Sequence, residues 1–285
     1  MNRLSLFAKL SIAALSLWLL LFAFVPNLLV LISSFLTKGE SEFLIYAFSF
    51  ESYFKLIDPI YLGIFLDSLY LAFLTTIMAL ILAYPFAYIV ATAPKRFRFI
   101  LLLLIIIPFW TSSLVRTYAL IAILKTKGLL NAALLALGII ETPLEIMYTQ
   151  SAVFVGMFYT LLPFMILPIY ASLEKLDWRL IEAARDLGAS KFSQFKDIII
   201  PLSLPGIIAG STLVFLPALG MFFIPDILGG AKELIVGSFI RNQFLTFRDW
   251  PFGSAASVIL LLIMFGMIAL LVKSQKIAAH KSELS

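Results

Sequence analysis

The chain has 285 residues, of which 62% are hydrophobic and only 13% charged, and its formal net charge is +5. A soluble domain carries about twice that share of charge, so a water-soluble globule is excluded, and so is a disordered chain. There is no cysteine, and the single histidine, His280, lies in the polar tail. Disulfide frameworks, thiolate metal sites and imidazole catalysis are excluded with them, and no basic face on a soluble domain points to nucleic acid.

A membrane span needs about 20 mostly apolar residues. Stretches free of Asp, Glu, Lys and Arg therefore locate the spans. Leu10–Thr37 gives a first span over 10–36. Arg3 and Lys9 before it imitate a signal peptide. The apolar run is longer than the usual ~7–15 residues and no A-x-A-like site follows, so it reads as a retained helix. Ser68–Pro94 gives a second span over 66–93, with Asp67 as its cap. Phe99–Val115, continuing past Arg116, gives a third over 98–124. Gly128–Ile140 is too short to cross and reads as an interfacial or re-entrant piece. Ile146–Leu173, Ile198–Pro225 and Trp250–Val272 give spans over 148–172, 200–225 and 252–272. Trp18 and Trp250 read as interfacial anchors. The expected fold is an all-α membrane protein of six helices, one transmembrane domain over residues 1–285.

Six spans put both termini on one side. That side carries Arg3, Lys9, Lys95, Arg96, Arg98, Lys175, Arg179, Arg185, Lys191, Lys196, Lys273, Lys276 and Lys281. The other side carries Lys38, Lys55, Arg116, Lys125, Lys127, Lys232, Arg241 and Arg248 and is net acidic. The positive-inside rule places the termini in the cytoplasm. Pro26, Pro85, Pro108, Pro163, Pro168, Pro205, Pro217 and Pro225 fall in or near spans. They read either as ordinary kinks or as broken helices around a pathway.

The loop 174–200 is unlike the others, with acids and bases evenly mixed between Glu174 and Asp197. Asp177 is placed to cap a helix whose apolar stripe is Leu180, Ile181, Ala184 and Leu187. Gly188 stands where a left-handed residue ends a helix, and Ser190 can cap a second short helix through Phe192 and Phe195. Helix, glycine turn and helix make a projecting knob whose stripe wants a groove on another protein.

At these residues the chain resembles the permease subunits of bacterial ABC importers. Glu182-Ala183-Ala184, then Gly188, then Ile198-Ile199-Ile200-Pro201 looks like their E-A-A-x3-G-x9-I-x-L-P loop, with Ile200 in place of the usual leucine. Val25-Pro26-Asn27, Ile107 through Arg116, Thr126-Lys127-Gly128, Glu182 through Ser190, Leu228-Gly229-Gly230-Ala231-Lys232 and Arg248 through Gly253 are similar to the spermidine/putrescine branch, nearest its B-type permease. The resemblance implies a type I importer permease in the bacterial cytoplasmic membrane. It implies as partners a second, homologous permease, two copies of an ABC ATPase and an external polyamine-binding protein. It makes Leu180, Glu182, Ala183, Ala184, Arg185, Leu187 and Gly188 the ATPase-coupling residues.

The sequence contains no G-x-x-x-x-G-K-[ST], so ATP and Mg²⁺ are expected on the partner ATPase, with no cofactor on this chain and no enzymatic activity of its own. A polyamine pathway needs carboxylates and π faces. Asp226 reads as a pathway acid or as an interface cap. Trp110, Tyr118 and Tyr159 read as pathway rings or as packing and interfacial belt; Phe222, with Phe223 beside it, reads as core or as a further pathway ring. Arg116 is expected in an ion pair, with Asp226 as one partner, or against the docked binding protein. Permeases for thiosulfate, iron or phosphonate share the loop, but an anion carrier should place basic groups in its spans, and Arg116 stands alone there. A secondary carrier would need several buried carboxylates and an inverted repeat, neither visible here.

Overall fold

A hydrocarbon environment satisfies no backbone hydrogen bond, so apolar stretches of this length have to fold as helices. The computed structural model describes residues 6–39, 44–230 and 234–283. Arg3, Ala231 and Lys232 lie outside the described residues, as do the side chains of Lys273, Lys276, His280 and Lys281. Among the described residues six helical segments are long and apolar enough to cross a membrane: Phe7–Ser33, Pro59–Thr92, Ser113–Ala136, Gln150–Glu174, Lys191–Gly220 and Trp250–Ala269.

The chain divides into two compact units, Met1–Gly63 with Phe239–Phe265, and Ile64–Ser238 with Gly266–Ser285. In the first, α1 (Leu6–Leu19) passes through a π turn, Leu20–Phe24, into α2 (Val25–Ser33). The short α3 (Glu51–Leu56) follows. Then α4 (Pro59–Thr92) begins, capped by the Asp58 carboxylate, which accepts from the Ile60 N–H at 2.9 Å. The rings of Tyr61, Phe239 and Phe252 pack together with centroids 4.9–5.5 Å apart. Asp249 accepts from the Phe252 N–H at the start of α13 (Trp250–Glu283) and pairs with Lys38 at 3.5 Å.

The second unit is built around α8 (Gln150–Glu174) and α11 (Ile200–Gly220), its most extensively packed pair. Lipid gives helices no hydrophobic reason to associate, so close packing of small residues must do it. The buried row Val153, Met157, Leu161, Met165, Ile169, Leu173 on α8 runs at i, i+4 spacing, an inclined ridge. Facing it on α11 is Gly206-x-x-x-Gly210. A Cβ at 206 would sit 2.6 Å from the Pro168 carbonyl oxygen, and one at 210 would sit 2.8 Å from the Met165 sulfur. Only glycine lets the backbones approach that far. On α4 the buried row Thr75, Ala79, Ala83, Ala87, Ala91 is a second small-residue seam.

The remaining helices of this unit are α5 (Lys95–Ile106), α6 (Ser113–Leu124), α7 (Leu129–Ala136), α9 (Arg179–Asp186), α10 (Lys191–Ser193) and α12 (Val236–Leu245), the last crossing into the first unit. The third expected span, 98–124, is not continuous. A tight turn at Ile107–Trp110 and extended backbone at Thr111 and Ser112 separate α5 from α6. The fifth is helical from Lys191 and ends at Gly220, not at 225. The start precedes the charge-free run because Lys191, Lys196 and Asp197 are exposed on the helix and do not interrupt it, and the end falls short of 225 because the backbone becomes extended at Met221. The prolines separate into two kinds. Pro85, Pro163, Pro168, Pro205 and Pro217 lie inside unbroken helices. Pro108 and Pro225 stand in non-α turns, and Pro26 stands in the first turn of α2, just after the π turn Leu20–Phe24.

Candidate functional site

The knob begins where α8 ends. The Asp177 carboxylate accepts from the Arg179 N–H at 3.1 Å and its carbonyl from the Leu180 N–H, which starts α9 one turn after the span. At the other end Gly188 has φ +83°, a conformation that side chains resist. Its N–H donates to the Arg185 carbonyl, and the Ala189 N–H donates to the Ala184 carbonyl, both at 2.9 Å. These are the two bonds of a Schellman stop. Ser190 then accepts from the Ser193 N–H at 3.2 Å and opens α10. The buried Gln194 side chain donates back to the Ala189 carbonyl at 2.8 Å, so the turn is held from both sides.

Aromatic packing fixes the knob to the spans. Phe195 meets Tyr84 edge-on at 5.5 Å and Trp178 meets Tyr88 at 6.1 Å, both rings being from the last third of α4. The Tyr84 hydroxyl reaches Ser203 on α11 at 2.8 Å. Arg98 donates to the Ala93 carbonyl at 2.8 Å and lies 3.9 Å from Glu174, joining the start of α5 to the end of α8.

The stripe is divided between two faces. Ile181 turns inward and is buried, and Ala184 is half-buried. Leu180, Glu182, Ala183, Arg185, Leu187 and Gly188 are exposed, and Leu187 is 89% exposed. Leu180 also borders an apolar cleft of about 580 Å³ between α8 and α11, lined by Pro168, Leu202 and Pro205. Phe192, on the second short helix, is exposed too and extends the apolar surface; the sequence pattern placed it on α10 without showing that it faces out.

The expected pathway residues lie in the same unit but do not form one cluster. Trp110, Tyr118, Tyr159 and Phe222 are all exposed. Among the described residues no ring contact joins Trp110, Tyr118 and Tyr159 to one another, while Phe222 meets Phe223 at 6.3 Å. Asp226 lies beyond the fifth span, on a separate π turn, Pro225–Gly229, that follows a break at Met221. Arg116 stacks its guanidinium on Phe109 at 5.2 Å, and no ion pair joins it to Asp226 among the described residues. Asp67 is not a cap. The helix starts two turns earlier, at Pro59, which leaves Asp67 as an exposed carboxylate on α4 beside buried Ser68. That Ser68 hydroxyl accepts from the Val236 N–H at 2.8 Å.

The short stretch 128–140 is anchored by a residue the sequence reading passed over. Asn131 is buried, donates to the Thr126 and Leu144 carbonyls, and accepts from the Leu144 N–H at 2.9 Å. An asparagine in an apolar run of that length was the available signal. Together these elements present an exposed apolar helix on a rigid mount, plus separate exposed aromatic rings on or beside the spans.

Comparison with known proteins gives the following. Residues 83–279 match the family model described as binding-protein-dependent transport system inner membrane component. The chain is 50% identical, over 94% of its length and 97% of the relative's, to the spermidine/putrescine transport system permease protein PotB of Escherichia coli (strain K12). It is 46% identical to the protein of that name from Haemophilus influenzae, over 98% and 97% of the two chains. A crystal structure of a bacterial alginate ABC transporter in complex with an alginate pentasaccharide-bound periplasmic protein contains a chain of similar fold. Its TM-score is 0.79 at 13% identity, over 95% of this chain and 94% of that one.

Proposed function

This chain belongs to the family of binding-protein-dependent transport system inner membrane components, and from that premise we propose that it is a permease subunit of an ATP-driven polyamine importer. The observation that carries the cargo is the likeness, over nearly the whole chain, to spermidine/putrescine permeases. The chain forms half of the translocation pathway and pairs with a second, homologous permease. Two copies of an ATPase bind ATP and Mg²⁺ in the cytoplasm, and an external binding protein delivers the polyamine. Both termini face the cytoplasm in this reading, which the excess of Lys and Arg on their side supports.

In this reading α9 is the mechanical contact. Leu180, Ala183 and Leu187, with Phe192 beside them, enter a groove on the ATPase, and Glu182 and Arg185 form the polar rim. A helix this short transmits force only if its base is rigid; Gln194, Phe195 and Trp178 supply that rigidity. On the pathway, Asp226 and Asp67 offer carboxylates to ammonium groups, and Trp110, Tyr118, Tyr159 and Phe222 offer π faces to the same cations.

The test is purification of the tagged chain from its native membrane in mild detergent. An ATPase and a second permease should accompany it, and spermidine or putrescine with the binding protein should stimulate ATP hydrolysis by the assembly. Thiosulfate- or phosphonate-stimulated hydrolysis in place of polyamine would retain the family and overturn the cargo. A chain that purifies alone and transports down an ion gradient would overturn the subunit reading.

A further inference from the structure

The first and second spans are joined by residues 34–58, of which the described parts, 34–39 and 44–58, pack on the end of the first span. Ser34, fully buried, shares a 2.8 Å hydrogen bond with the Tyr53 hydroxyl of α3. The Phe35 ring packs on Phe48, Phe50 and Tyr53 at 5.2–5.7 Å. Ser49 donates to the Phe35 carbonyl, and Thr37 pairs with Ile45 in an antiparallel bridge. The start of α4 follows within two residues of α3. Both ends of the connection therefore return to the membrane, and the ring cluster holds α3 within one side-chain length of the first span's terminus.

At about 100° per residue, α3 shows three faces. Ser52 and Leu56 are buried against the protein. Glu51 and Lys55 share a second face and pair at 2.8 Å. Phe54 and Ile57 occupy the third, and each is more than two-thirds exposed. Tyr46 and Phe48 before the helix and Ile60 after it are exposed to a similar degree or more. A soluble connection has no reason to display five large apolar side chains while pairing its charges on a separate face.

We propose that this segment is an interfacial anchor: Phe54, Ile57 and Phe48, with Tyr46 and Ile60 at its edges, insert into the headgroup–acyl boundary of the bilayer. Lipid is favoured over a protein partner by continuity. The apolar surface runs straight into Ile60 and Leu62 of the spanning helix, whose exposed faces the membrane already covers. The charged groups at its edge are already engaged within the chain, Glu51 with Lys55 and the Asp58 carboxylate with the Ile60 N–H. An amphipathic helix in this position sits about 5–10 Å into the boundary, which fixes the depth of the two spans it connects. The inference holds whichever solute is transported.

Because the chain contains no cysteine, single cysteines report without background. The full chain, with the subunits that purify alongside it, is placed in phosphatidylcholine nanodiscs with and without brominated acyl chains. A bimane label is carried in turn by Phe54→Cys, Ile57→Cys, Glu51→Cys and Lys55→Cys. The labels at 54 and 57 should be quenched about twofold, as expected for groups at the acyl boundary, and those at 51 and 55 unchanged. Equal quenching at all four positions, or none, overturns the proposal. So does a label at 54 or 57 that changes only when the external binding protein is added, which would assign the face to that protein. Should an α3 variant fail to assemble, Tyr46→Cys outside the helix decides in the same way: quenched supports the anchor, unquenched rejects it.

Discussion

The hydroxyls of Tyr84 and Ser203 lie 2.8 Å apart in a buried contact between α4 and α11, directly under the Phe195 ring that supports the knob. Ser203 Oγ also lies 3.1 Å from the Ile200 carbonyl, a second acceptor within its reach, and either hydroxyl can donate in the Tyr84–Ser203 pair. Tyr84→Phe should destabilise the chain by about 1 kcal/mol, a typical net hydrogen bond. Because Ser203 keeps its second partner, Ser203→Ala on that background should add less than it does alone. Thermal unfolding of the two single variants and the double variant in one detergent checks this.

Gly188→Val should separate ATP hydrolysis from transport. A left-handed conformation costs a non-glycine residue about 1–2 kcal/mol, and branching at Cβ makes it worse. The two bonds across the turn would open and α9 would lose its aim. In proteoliposomes the assembly should hydrolyse ATP with uptake largely lost, while Gly188→Asn, whose side chain tolerates this conformation, should retain most of it. Normal uptake by the valine variant would mean that the turn does not set the coupling geometry.

Gly206→Ala should lower stability by about 1–3 kcal/mol, since its methyl group has to displace the α8 backbone at Pro168. Gly266→Ala, where a methyl group meets nothing within 4 Å, should be neutral or slightly stabilising. Melting temperatures of the pair, measured side by side, separate close packing from a general intolerance of alanine.

Asp226→Asn and Asp67→Asn should each raise the KM for polyamine-stimulated uptake while leaving the assembly intact. Loss of one charged hydrogen bond, about 1.5 kcal/mol, corresponds to roughly tenfold. An unchanged KM for either variant removes that carboxylate from the pathway.

The Glu51–Lys55 pair gives α3 a pH dependence of known sign. Its hydrogen bond to Lys55 holds the Glu51 carboxyl below its ordinary value of 4.5. The hydrogen bond to Glu51 raises Lys55 above 10.5. The contribution of Glu51 is therefore complete above the ordinary carboxylate value and is lost as pH falls through the lowered one. That of Lys55 is complete below its ordinary value and is lost only as pH rises past the raised one. Amide exchange of residues 53–56, corrected for intrinsic rates, should be unchanged across neutral pH and accelerate in acid.

The local grammar of the knob was readable because each signal acts within four residues: Asp177 caps, Gly188 stops and Ser190 restarts, as the backbone then shows. The spans were readable for the same reason, since the absence of charge is a local property. Their ends were not. Asp67 looked like a cap only because the apolar run begins after it, whereas the helix had been started by Asp58 and Pro59. Which half of the 180–187 stripe faces outward depends on what lies beneath it. The burial of Ile181, like the contact of Phe195 with Tyr84 more than a hundred residues away, is decided by tertiary packing and leaves no periodic trace. The break at 107–112 had a warning in Pro108, but the same residue type sits at 163 and 168 inside an intact helix, where packing on α11 holds the backbone together.

The π turn Gln194–Ile199 lies between the knob and the straight part of α11. Such a turn accommodates one residue more than the α geometry around it. A one-residue deletion there would be absorbed as the turn closes to α geometry, leaving its two flanks in nearly their present register. The same deletion within α11 itself would turn everything before it by about 100° about the helix axis and draw it about 1.5 Å along that axis. The joint beneath the knob therefore tolerates a change of chain length that the helix beyond it does not, and the aim of the exposed face of α9 survives there an edit that would misdirect it farther along α11.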